Sequence, residues 1–196
     1  QRLSRCQVTE QRPQILGCRC HPSRTAVPQT NTTLNAQQDV GVDMALKRDK
    51  HDAVFSELVR ERTNWQCDYC GKYFHHDHGN LHCSHFKSRR HKATRYHPFN
   101  AFAHCAGCHR KLGEDPYEFT MHANITYGEM VIDRVAHLAA VPVRLTPWQM
   151  DEIYQHMKTE LKRLRELRAG GNIWRIEFTL PPWYQEGITY RMGEAA

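Results

Sequence analysis

Two Cys-x2-Cys pairs constrain the fold of this chain more than any other feature. Cys67 and Cys70 form the first pair, Cys105 and Cys108 form the second, and 34 residues separate them. Two residues between cysteines let a tight turn present both sulfurs to one edge of a tetrahedron. The two turns together therefore predict a four-cysteine structural Zn²⁺ site. The alternative, that the cysteines are small buried hydrophobic residues or a redox pair, stays open.

The composition favours zinc over disulfides. The chain has 196 residues with eight cysteines, and neither a secretory signal nor a run of ~18 to 20 apolar residues is visible. Paired cysteines without an export signal favour metal binding in a reducing compartment. We therefore expect a cytoplasmic protein with no membrane partner. Cys83 is not needed for the zinc site and is expected to be a buried thiol.

Four regions are predicted along the chain. Residues 1–43 are rich in Gln, Thr, Arg and Pro without periodicity, which predicts a disordered leader, and native translation could start at Met44. Residues 44–124 are predicted to form the zinc-containing domain, 125–171 a helical C-terminal extension, and 172–196 a tail with one strand.

Helices are predicted over 49–63, 116–123, 128–140 and 147–168. Thr146, Pro147 and Gln149 form a capping box that starts the last of these helices. Its apolar stripe is predicted to pack within the chain rather than to form a dimer seam, and the oligomeric state, including a homodimer, stays open. The stripe consists of Met150, Ile153, Met157, Leu161 and Leu164.

Positive charge is concentrated between the cysteine pairs. From His78 to Gly113 there are seven Lys or Arg residues and no Asp or Glu. Such a run beside a zinc site predicts a polyanionic partner, most simply DNA, although a solubility role is the alternative. The residues predicted to neutralise DNA phosphates are Lys87, Arg89, Arg90, Lys92 and Arg95.

The cysteine pairs enclose three further residues in a recognisable order. Ser84-His85 is followed fifteen residues later by Asn100, and His109 comes directly after the last cysteine. This pattern resembles the HNH nuclease motif, and "TRYHPFNAFAHCAGCHRKL" is similar to the phage NinG recombination-nuclease family over residues 65–168. The resemblance implies an α+β fold, with a zinc-stabilised ββα-metal (HNH) finger flanked by helices. It also implies a phage protein acting in the cytoplasm of a bacterial host.

The resemblance implies a catalytic role for each of these residues. His85 is expected to be the general base that deprotonates water, since an imidazole titrates near neutral pH without large tuning. Asn100 is expected either to ligate a catalytic divalent ion (Mg²⁺, Mn²⁺ or Zn²⁺) or to brace the loop that carries the base. His109 is expected to ligate the same ion. Ser84 departs from the family pattern, since many HNH enzymes have an acidic metal ligand there.

The functional prediction is a metal-dependent HNH endonuclease that hydrolyses DNA phosphodiesters. The resemblance implies branched or recombination-intermediate DNA as its substrate. Two alternatives stay open: a non-catalytic zinc-finger DNA-binding protein, and a module that recruits recombination or replication proteins through the helix at 147–168. Four further histidines cluster in a predicted hairpin loop, "FHHDHGNLH", and are expected to be exposed to solvent, with adventitious metal binding as the alternative: His75, His76, His78 and His82.

Overall fold

A computed structural model describes residues 48–185, so the predicted leader and the start at Met44 lie outside the described residues. Within that range the fold is α+β, as predicted, with six α-helices and a two-stranded antiparallel sheet. The elements are α1 (Lys50–Arg62), β1 (Leu81–His85), β2 (Ala101–Cys105), α2 (Ala106–Glu114), α3 (Pro116–Tyr127), α4 (Glu129–Ala139), α5 (Pro147–Ala169) and α6 (Pro182–Gln185). A 3₁₀ turn, Pro98–Asn100, precedes β2.

Local capping explains where α1 and α5 begin. The Asp49 carboxylate accepts from the backbone N–H of Asp52 at 3.0 Å, and the Asp52 carboxylate accepts from the N–H of Asp49 at 3.2 Å. At α5, the Thr146 hydroxyl accepts from the N–H of Gln149 at 3.2 Å, while Gln149 accepts from the N–H of Thr146 at 2.9 Å. Each reciprocal pair satisfies backbone donors that a helix start leaves without partners.

A strand–strand–helix unit carries most of the predicted site. β1 pairs with β2 in a register that sets Leu81 opposite Cys105 and His85 opposite Ala101. α2 starts directly after β2, and its first turn contains Cys108 and His109. The hairpin thus brings the second cysteine pair to the start of β1, while His85 lies at the other end of that strand.

The apolar stripe of α5 packs inside the chain, against α1. Ile153, Met157 and Leu164 are fully buried in the same cluster as Phe55 and Leu58 of α1. This confirms the predicted packing face. A second cluster, formed by Phe102, Leu112, Phe119, Ala123 and Ile132, joins β2 to α2, α3 and α4.

The strand predicted in the tail is wrong for the described tail residues, 172–185, and residues 186–196 lie outside the described residues. Residues 172–181 contain no strand, yet Ile176, Phe178 and Leu180 are buried in the main core. Side chains of α5 supply partners for this extended backbone, since Glu160 accepts from the N–H of Thr179 at 2.9 Å and Arg163 donates to the carbonyl of Glu177 at 2.8 Å. With those groups satisfied, the segment needs no partner strand. None of the helices in residues 48–185 is long and apolar enough to cross a membrane.

Candidate metal centre and active site

The four cysteines predicted to bind zinc come together. The sulfur atoms of Cys67, Cys70, Cys105 and Cys108 all lie within 4.8 Å of one another, with 4.0 Å between those of Cys70 and Cys105. Sulfurs bound about 2.3 Å from a zinc ion stand about 3.8 Å apart in a tetrahedron, so the cluster fits that ion. Among residues 48–185 it is the one group of three or more His, Cys, Asp or Glu side chains close enough to share a metal.

The backbone holds these sulfurs in place. Gly71 has a φ of 70°, which closes the turn after the first pair and lets its N–H donate to the carbonyl of Cys67 at 2.8 Å. Cys67 Sγ accepts from the N–H of Cys105 at 3.3 Å. Burial raises the pKa of Cys67 to about 12 and also raises the pKa of Cys108. Zinc must therefore displace protons from these thiols, and we expect its binding to tighten as pH rises.

A cavity of about 580 Å³ lies between α1, β1 and the start of α2. Three arginines line it, Arg48, Arg60 and Arg89, and Asp52 is the single carboxylate among the described lining residues. This balance of charge suits an anion such as a phosphate. The histidines that line it are His78, His82, His85 and His109.

His85 lies in this cavity with one nitrogen engaged and the other able to accept a proton. Its Nε2 is 3.0 Å from the backbone carbonyl of Arg95. A carbonyl can only accept, so Nε2 carries the hydrogen and the lone pair remains on Nδ1. Burial, which exceeds the effect of this hydrogen bond, lowers the pKa of His85 to about 4. The imidazole is thus neutral at physiological pH, but its pKa is much lower than the sequence suggested.

Asn100 is fully buried beneath the basic loop, residues 87–95, and does not line the cavity. Its Oδ1 accepts from the N–H of Lys87 at 2.7 Å, and its Nδ2 donates to the carbonyls of Lys87 at 3.0 Å and Thr94 at 2.8 Å. The amide thus ties together both ends of residues 87–94, directly before the Arg95 carbonyl that binds His85. Of the two roles predicted for Asn100, these contacts favour bracing over metal ligation.

Substitutions at Asn100 separate the two roles. We expect Asn100→Ala and Asn100→Asp to destabilise the protein alike, by about 1–3 kcal/mol, because both leave buried carbonyls without a donor. Urea unfolding measures this loss, and amide hydrogen exchange over residues 86–95 should accelerate in both variants. Asn80→Ala, which removes an exposed asparagine, serves as the control. Asp retains an oxygen that could ligate a metal but lacks the amide donor. Wild-type stability of Asn100→Asp would therefore contradict the bracing role.

His109 contacts His82, a histidine that the sequence predicted to be exposed to solvent. The Nδ1 atoms of His109 and His82 are 3.0 Å apart, and the Nε2 of His82 is 3.1 Å from the carbonyl of Gly79. His82 is half-buried rather than exposed, whereas His75, His76 and His78 are exposed as expected. No spacing in the sequence points to this pair, because its members lie on β1 and α2.

The five predicted phosphate-binding residues fall into two groups. Arg95 forms a bidentate ion pair with Asp52 of α1, with distances of 2.6 and 3.0 Å, and Arg89 lies 3.4 Å from the same carboxylate. Burial raises the pKa of Asp52, but the contacts with Arg95 outweigh this and hold it below its usual value. The structure thus gives Arg95 a partner inside the chain, which differs from the predicted phosphate contact. Lys87, Arg90 and Lys92 lie nearer the surface.

A second groove lies beside residues 90–92 of the basic loop. Arg90 and Lys92 line it on one side, and Arg144 lines it from the segment between α4 and α5. Tyr184 holds this part of the loop, because its hydroxyl donates to the carbonyl of Lys92 at 2.8 Å. The sequence gives no signal for Arg144, Arg48 or Arg60, because these arginines lie outside the basic run.

Comparison with known proteins does not identify a family for this chain. No family model matches the chain, and no curated protein or solved structure matches it either.

Proposed function

We propose that the protein is a metal-dependent endonuclease of the HNH type that hydrolyses phosphodiesters in DNA. One observation carries the proposal: His85 offers its Nδ1 in a cavity lined by three arginines and two further paired histidines. A base, a positively charged binding site and candidate metal ligands are the parts that this hydrolysis needs. The resemblance to NinG nucleases supports branched DNA as the substrate.

His85 acts in this proposal as the general base. The Arg95 carbonyl holds its Nε2–H, so the ring presents Nδ1 to a water molecule in the cavity. Phe55 packs against the ring, with 5.8 Å between centroids, and limits its rotation. As the water attacks phosphorus, its proton passes to Nδ1. The bond between phosphorus and the 3′ oxygen breaks, the departing oxygen takes a proton from solvent water, and the products are a 5′-phosphate and a 3′-hydroxyl.

The arginines of the cavity bind and orient the scissile phosphate. Arg48 lies directly before α1, and Arg89 belongs to the basic loop. Arg60 lies on α1, where its Nε also donates to the carbonyl of Leu81 at 2.7 Å. Guanidinium groups donate paired hydrogen bonds to phosphate oxygens, which suits positioning of the diester for in-line attack. A divalent cation held by the paired histidines, His82 and His109, would supply charge neutralisation at the phosphate and at the departing oxygen.

Cleavage of a substrate panel tests the proposal. Zinc-loaded protein is incubated with linear duplex, fork, four-way junction and single-stranded DNA, with Mg²⁺, with Mn²⁺ and without either ion. We expect cleavage that requires the added ion and yields 5′-phosphate ends, detected by ligation and end-labelling. Preference for the fork and junction would support the branched-substrate part of the proposal.

The two alternatives predict different results with the same panel. A non-catalytic zinc-finger protein would bind these DNAs and leave all of them intact under every metal condition. A recruiting module would bind DNA weakly and with little salt dependence. The apolar stripe of α5 is covered by α1, so recruitment would have to use its polar face.

The basic groove should contribute to DNA affinity through phosphate contacts. We expect Lys92→Ala to lower the slope of log affinity against log salt by about 1, because each lost phosphate contact removes roughly 0.9 of slope. Arg144→Ala should have a similar effect, and fluorescence anisotropy at several salt concentrations measures both. Lys162→Ala, which removes an exposed lysine on α5, is the matched control. If the salt slopes of Lys92→Ala and Arg144→Ala equalled that of Lys162→Ala, the groove would not be part of the DNA-binding surface.

A further inference from the structure

The closest pair of ring nitrogens in the cavity belongs to His82 and His109. Their Nδ1 atoms are 3.0 Å apart, although the two residues are separated by 27 positions in the chain. Nitrogens bound about 2.1 Å from one ion stand about 3.0 Å apart at a right angle and about 3.4 Å apart at the tetrahedral angle. The observed spacing therefore suits a shared cation with little movement of either ring.

The second nitrogen of His82 is arranged as in metal-binding histidines. Its Nε2 lies 3.1 Å from the carbonyl of Gly79, which can only accept, so the hydrogen resides on Nε2. The Nδ1 lone pair consequently points to His109. A backbone carbonyl that holds the distal N–H is the usual arrangement behind a histidine ligand. The contact with Gly79 is a separate observation from the His82–His109 distance.

We infer that His82 and His109 together bind one divalent transition-metal ion through their Nδ1 atoms, in the same cavity as His85. His82 thereby supplies the ligand that Ser84 cannot, from the position three residues before the proposed base. Both histidines line the cavity, so the remaining coordination positions are left for water and a phosphate oxygen. The inference deepens the proposed function, and its catalytic part rests on that function.

The ligand set selects the class of ion. Mg²⁺ prefers oxygen ligands, whereas imidazole nitrogen suits zinc and other transition ions, with manganese lowest in the affinity order. Asp52 is the single carboxylate among the described residues that line the cavity, and Arg95 and Arg89 already contact it. A pair of imidazoles without an available carboxylate therefore favours Mn²⁺, Zn²⁺ or a similar ion over Mg²⁺.

Mn²⁺ binding by the full chain loaded with a single equivalent of zinc, which the four-cysteine cluster takes up first, tests the inference. Mn²⁺ is the probe because it ranks below zinc for thiolate sites and leaves the four-cysteine cluster occupied. Pulsed electron paramagnetic resonance counts the bound ¹⁴N nuclei, and the titration extends to millimolar Mn²⁺ because arginines surround the site. We expect one saturable ion with two imidazole nitrogens, not displaced by an equal concentration of Mg²⁺.

Variants identify the ligands. His82→Ala and His109→Ala should each leave one nitrogen coupling and weaken Mn²⁺ binding by more than about 100-fold, since even outer partners of ligands are worth about 10–100-fold. The double variant with both substitutions should bind Mn²⁺ only slightly more weakly than either single variant. His78→Ala is the matched control, because His78 lines the same cavity while its ring contacts Glu57 at 2.9 Å. The zinc content of each variant confirms that it has folded.

The outcomes separate this inference from the proposed nuclease. Two nitrogen couplings in the wild type that fall to one in His82→Ala support the site, even if no DNA is cut. An absent Mn²⁺ signal, or an unchanged one in His82→Ala, means that the histidines form only an N–H···N hydrogen bond and overturns the inference. That second result leaves the nuclease in place if the wild type still cuts the DNA panel.

Discussion

Removal of zinc is expected to unfold the strand–strand–helix unit and is the largest effect that we predict. A structural zinc ion contributes about 10–16 kcal/mol, as much as the whole stability of a typical domain at about 5–15 kcal/mol. The cluster joins the turn at 67–70 to the end of β2 and the start of α2. Cys108→Ser, or a strong chelator, should abolish near-ultraviolet circular dichroism and the cooperative thermal transition.

The control for zinc removal is a cysteine outside the cluster. Cys83 lines the cavity, and burial raises the pKa of its thiol to about 11, so it stays protonated at neutral pH. Cys83→Ser should therefore retain stoichiometric zinc, measured by atomic emission, and keep its thermal transition. A zinc-free Cys108→Ser protein that still melts cooperatively near the wild-type temperature would show that packing alone holds the unit together.

Features with local causes could be predicted from the sequence. The capping box at Thr146 and the helix over 49–63 depend on neighbours within four residues, and both are present. The helix predicted to stop near 123 continues to Tyr127, where Gly128, with a φ of 91°, ends it. The cysteine cluster was also predictable, because its spacing reflects the geometry of the ion.

Contacts between distant elements could not be predicted in the same way. The tail from Ile176 to Leu180 alternates like a strand, but side chains of α5 satisfy its backbone instead of a neighbouring strand. The His82–His109 pair depends on how α2 follows β2. Arg95 lies in a basic run that suggests phosphate contacts, yet a carboxylate of α1, remote in the chain, engages it. Each of these differences arises from a partner more than ten residues away.

His85→Ala is expected to abolish cleavage while leaving DNA binding intact. Loss of a general base lowers a rate by about 10²- to 10⁴-fold, and no phosphate contact is assigned to this ring. Single-turnover cleavage of the best substrate measures the rate, and anisotropy measures binding. Because the pKa of His85 is about 4, the base is neutral above about pH 5. Protonation of His85 should therefore not lower the wild-type cleavage rate between pH 6 and 8. The rate should fall only as the pH approaches 4.

Two further measurements distinguish a base from a packing residue. Added imidazole should partly restore cleavage by His85→Ala, because the truncation leaves space beside Phe55 for a free base. His85→Gln retains a donor for the Arg95 carbonyl but no basic nitrogen, so it should fold as the wild type does and remain as inactive as His85→Ala. Cleavage by His85→Gln at the wild-type rate would mean that the ring only supports the loop, and that water is activated elsewhere in the cavity.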